Sequence, residues 1–114
     1  MTPDAQSELE ELVSLRPRVT GIKNTIFISP KGNPDHDPRL LVAIDPPNSI
    51  SPVCLTASVN FASAREIGWH GPFNFNLAQQ IEEFVQINHA ALMDYWQYKI
   101  STDELHARLR PIGS

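Results

Sequence analysis

Asp35, His36 and Asp37 set two carboxylates around an imidazole, the densest local grouping of chemically versatile side chains in the sequence. Such donors suit a divalent metal, and a carboxylate beside an imidazole can orient a general base. Neighbouring residues on an extended loop point to different sides, so a metal site there needs ligands from elsewhere. His70, His89 and His106 offer no helical two-histidine spacing to supply them. The competing reading, which the spacing favours, is a solvated loop whose turn is shaped by the aspartates with Pro34 and Pro38. Cys54 is the single cysteine. It would be a candidate nucleophile with His36 or His70 beside it, but nothing in the sequence places them together, and a lone cysteine in an apolar strand ordinarily packs. Trp69, His70, Phe73 and Phe75 form an aromatic loop interspersed with Gly68, Gly71 and Pro72. On a surface these rings would anchor a protein partner or stack on bases. In the alternative they close the open end of a sheet against a helix, which suits a small chain that needs its aromatic rings in the core. Glu82, Glu83 and Asp94 could meet a basic partner, although a solvated helix face has the same composition.

These residues hang on elements that the pattern of residue types predicts. Ten prolines, all but Pro111 at or before Pro72, exclude long helices from the first two thirds. Residues 5–15 read as a short helix with Leu9, Leu12 and Val13 as its stripe, ended by Pro17. Three strands are expected at 22–29, 39–45 and 53–61, separated by Pro- and Gly-rich turns; in the third, Val53, Leu55, Ala57, Val59 and Phe61 alternate with polar or small residues, so one face meets the core and the other faces water. Residues 62–75 have no clear period and read as a loop with room for one further short strand. From Asn76, as cap, to about Tyr98 runs a helix with Leu77, Ile81, Phe84, Val85, Ala91, Leu92, Tyr95 and Trp96 on one face. Asn88 is the polar interruption of that stripe and is expected to satisfy a buried backbone group where a strand end meets the helix. Ser101-Thr102-Asp103-Glu104 fits a capping box that opens a short last helix, with Leu105 and Leu109 as its apolar positions and Pro111 after it.

The C-terminal pattern Asn88-x3-Leu92-x2-Tyr95-Trp96-x3-Ile100-x-Thr102-x-Glu104-Leu105-x3-Leu109, together with Pro34 to Val42 and Thr56 to Val59, resembles a family of short bacterial proteins grouped as a domain of unknown function. The resemblance implies a small α+β protein, in some cases encoded beside a small partner protein. It supplies no reaction, cofactor or active site.

Bulk properties narrow the classes. A formal charge of −4, with 9 Lys and Arg against 13 Asp and Glu, disfavours binding to phosphate backbones. The densest basic groupings are Arg16 with Arg18 and Arg108 with Arg110. One cysteine excludes an internal disulfide and, with no membrane-length apolar run and no signal-peptide core, predicts a cytoplasmic protein. Gly113-Ser114 reads as a cloning remnant. The expected architecture is a single α+β domain over 1–112: a mostly antiparallel sheet of three to four strands, a long C-terminal helix across one face and a short terminal helix. No phosphate loop, nucleophile elbow or paired-cysteine motif is present, so no cofactor is implied. The leading functional expectation is a protein–protein interaction module using Trp69, His70, Phe73 and Phe75. A small metal-dependent enzyme or metal-binding protein at Asp35, His36 and Asp37 comes second, and a nucleic-acid-binding regulator third.

Overall fold

A computed structural model of the chain describes residues 13–28, 38–49, 54–63 and 67–113. It is an α+β protein built on one five-stranded antiparallel sheet: β1 (Val13–Leu15), β2 (Ile26–Ile28), β3 (Arg39–Asp45), β4 (Leu55–Asn60) and β5 (Gly68–His70), in the order of the chain. A single helical turn, α1 (Pro17–Thr20), interrupts the β1–β2 connection, and the sheet is followed by α2 (Phe75–Trp96) and α3 (Thr102–Arg108).

The sheet therefore has five strands where three to four were expected. One addition is β5, in the segment read as loop with room for a strand. The other is β1. Val13–Leu15 was expected to close a helix, but it pairs with Ile26–Ile28 through Leu15↔Ile26 and Val13↔Ile28. Pairing satisfies the backbone of these three residues and buries Leu15 against β2. The rest of the expected helix, residues 5–12, lies outside the described residues. Pro17 does not stop a helix but opens α1, at the position where its missing N–H costs nothing.

Paired residues share a face, so the register sorts the side chains. Leu15, Ile26, Ile28, Leu40, Val42 and Val59 point to one side and form the core with Leu77, Ile81, Phe84, Val85, Leu92 and Tyr95 of α2. The apolar stripe read along the helix is buried except at Trp96, which is half-buried. Across the other face, the row Phe27, Leu41, Ser58, His70 passes from buried through half-buried to exposed. That face is covered at β2 and opens toward β5; in β4, where a core face and a water face were expected, Ala57 and Val59 are buried and Thr56, Ser58 and Asn60 half-buried, while Leu55, expected on the core side, is 52% exposed.

Helix ends are set by local hydrogen bonds. Asn74, not Asn76, caps α2, its Oδ1 accepting from the Leu77 N–H at 2.9 Å. The two asparagines offer the same chemistry, and the loop that enters the helix selects between them. α2 stops at Trp96 because Tyr98 adopts φ 62°, with the Tyr98 N–H bonded to the Tyr95 carbonyl and the Lys99 N–H to the Asp94 carbonyl. This is a Schellman ending with tyrosine in the place usually held by glycine. The capping box is present: the Glu104 N–H donates to Ser101 Oγ and the Ser101 N–H to Glu104 Oε1. α3 folds back on α2, burying Leu105, with a hydrogen bond between the Tyr95 and Thr102 hydroxyls and an Arg108–Asp94 ion pair of 2.8 Å.

Asn88 has a different task from the one expected. It lies 3% exposed in the core stripe, and its Nδ2 donates to the Phe84 and Arg110 carbonyls while Oδ1 accepts the Arg110 N–H. It thus holds the segment after α3, not a strand end. His89, one residue on, is the side chain that meets a strand end, its Nε2 at 3.0 Å from the Phe61 carbonyl. Two residues beyond Arg110, the Ile112 N–H donates to the Thr20 carbonyl at 2.9 Å. Gly21, at φ 79°, lets the chains approach: a β-carbon there would stand 2.3 Å from the Ile112 carbonyl oxygen. Leu109 and Ile112 are buried as a result.

Candidate functional site

The aromatic segment is assembled by the β5 edge and the entry to α2. Trp69 stands across from Val59 on the helix-facing side of the sheet and packs half-buried against the core. Its indole N–H donates to the Pro72 carbonyl at 2.9 Å, and its ring meets Phe73 edge-on, with centroids 5.9 Å apart and planes at 84°. Gly71 makes the turn possible. It has φ 127°, and a β-carbon on it would lie 2.9 Å from the Ala57 Cα. These contacts hold the loop from below while its outer rings stay in water: Phe73 and Phe75 are each 64% exposed. Leu55, 52% exposed, lies at the end of β4 toward which β5 runs.

The two readings of this loop therefore divide among its residues. Trp69 closes the end of the sheet, as the packing alternative has it, whereas Phe73 and Phe75 remain on the surface. His70 is exposed on the opposite face, in the row that begins with Phe27. No period in the sequence separates these roles. The signal for them is the odd-even alternation of β5, visible only once Gly68–His70 is recognised as strand.

Residues 67–98 contain no Lys or Arg, while Glu82 and Glu83 lie along α2. The third acid of that helix face, Asp94, is engaged by Arg108.

The other candidate residues do not converge here. Asp35, His36 and Asp37 lie outside the described residues. Cys54 is half-buried at the start of β4. His70 pairs with Ser58, four residues along, so about 13 Å of strand separates Cys54 from the position facing His70. Those two form no nucleophile–base pair. Among the described residues no three His, Cys, Asp or Glu side chains are grouped to hold a metal ion, and no helix is long and apolar enough to cross a membrane. No protein-family model, curated protein or solved structure matches the chain.

Proposed function

We propose that the protein is a protein–protein interaction module whose binding surface is the corner formed by Trp69, Phe73 and Phe75, with His70 left on the other face of the sheet. The observation that carries this reading is the exposure of Phe73 and Phe75 beside a tryptophan that is itself fixed. Exposed large rings on a supported loop lose little side-chain entropy when a partner covers them, which is the character of an interface anchor. The absence of Lys and Arg from residues 67–98 shapes the partner: an apolar pocket for the two rings, with a neutral or basic rim facing Glu82 and Glu83. The resemblance of the C-terminal pattern to a family whose members are in some cases encoded beside a small partner protein makes such a protein the first candidate to test.

The test is capture by the tagged protein from lysate of its source organism, run beside a Phe73→Ala/Phe75→Ala variant. A stoichiometric protein held by the wild type and lost by the variant, with unchanged melting of the bait, is the expected result. A partner retained by the variant, or no partner, overturns the reading.

A further inference from the structure

Arg16 with Arg18 and Arg108 with Arg110 lie at opposite ends of the sequence, and neither doublet amounts to a basic surface. The fold brings them to one junction. Arg18 lies two residues before Thr20 and Arg110 two residues before Ile112, and those two residues are joined by a backbone hydrogen bond of 2.9 Å. Two residues span at most about 7 Å of chain, so both arginines flank that bond closely. Lys23 follows two positions after Gly21, whose Cα abuts the Ile112 backbone.

Arg16, Arg18, Lys23 and Arg110 are all exposed. Among the described residues none of these four side chains has an ionic or hydrogen-bonding partner. Their backbone is fixed nonetheless. The Arg16 carbonyl accepts from the Val19 and Thr20 N–H groups, and both backbone groups of Arg110 are held by Asn88. Arg108 differs, because Asp94 neutralises it.

We propose that this junction is a second interaction surface, which binds an acidic peptide segment of a partner protein. Three of the four cations are arginines, whose planar forks match carboxylates two bonds at a time. Nucleic acid fits less well. Four cations form a short patch that matches a few carboxylates, whereas a continuous polyanion would also meet the acidic remainder of a chain of net charge −4. The surface lies by the β1 edge of the sheet, away from the aromatic corner at β5, and stands independently of it.

The test is fluorescence anisotropy with a labelled ten-residue Glu/Ser peptide at ~20 mM and ~150 mM salt. The wild type is expected to bind at low salt and to weaken as salt rises. Arg18→Glu/Arg110→Glu should weaken binding about tenfold or more, and Arg39→Glu/Lys99→Glu, which changes the net charge equally at exposed positions elsewhere, about twofold or less. Should the first variant fail to melt like the wild type, Arg16→Gln/Arg18→Gln/Lys23→Gln replaces it, with about a fivefold loss expected. Absence of binding at low salt overturns the proposal. So does equal loss in the junction and control variants, or tighter binding of a single-stranded oligonucleotide of equal charge with the same residue dependence.

Discussion

At the β5 edge of the sheet the chain holds two phenylalanines in water, while beside the β1 edge residues 109–112 fold back and bury Leu109 and Ile112. The regions use similar devices to opposite ends. Each has a positive-φ glycine that permits close backbone approach, Gly71 against Ala57 and Gly21 against Ile112. Each has a polar side chain that ties a turn, Trp69 to Pro72 and Asn88 to Arg110. At the β1 side the tie spans 22 residues of sequence and closes the core. At β5 it spans three residues and holds up a surface. A long-range tie of this kind couples distant segments into one cooperative unit, whereas a local one can support exposed rings without contributing much to global stability. Charge divides the same way, with cations around the closed junction and none between residues 67 and 98.

Substitutions should separate the regions by the size of their effect on stability. The largest loss is expected for Gly21→Val, which forces a β-branched residue to φ 79° and drives its β-carbon into the Ile112 backbone. Chemical denaturation should show at least about 3 kcal/mol of destabilisation. Asn88→Ala should cost about 2–3 kcal/mol, since it strips partners from the Arg110 N–H and carbonyl and leaves a small void in the core. Hydrogen exchange should then show residues 109–112 opening in the folded protein. A normal melt for Asn88→Ala would mean that the closed edge is no more integrated than the open one.

Smaller effects sharpen the contrast from the surface side. Arg108→Ala removes an ion pair whose side chains are 41% and 32% exposed, and should cost under about 1 kcal/mol, less at high salt. Phe73→Ala, which loses the edge-on contact with Trp69, should cost under about 1 kcal/mol and Phe75→Ala under about 0.5 kcal/mol, since neither ring is buried, while both remove the proposed contact surface. A loss of more than about 2 kcal/mol at either phenylalanine would show core packing and erase the distinction between the edges.

The parts legible in the sequence are those whose cause lies within a few residues. The buried stripe of α2 follows from helical spacing, β3 from a β-branched and leucine run stopped by prolines, and the capping box from Ser101 and Glu104. α2 ends two residues before the expected Tyr98, because that tyrosine holds a left-handed position that glycine would ordinarily signal. β1 was missed because three residues bear no period of their own and become a strand only through Ile26–Ile28.

The candidate surfaces were legible only as inventories of residues. The sequence named Trp69, His70, Phe73 and Phe75, and it named both arginine doublets. Local periodicity and hydrogen-bonding chemistry, which act over one turn or one strand, determined the α+β class and most element positions from the sequence alone. Which aromatic rings are buried, which backbone Asn88 holds, and that Thr20 and Ile112, each two residues from an arginine, are joined were decided by tertiary structure. Those outcomes depend on which distant segment arrives to cover a side chain or to accept its hydrogen bond, and such long-range pairings leave no trace in the spacing of neighbouring residues.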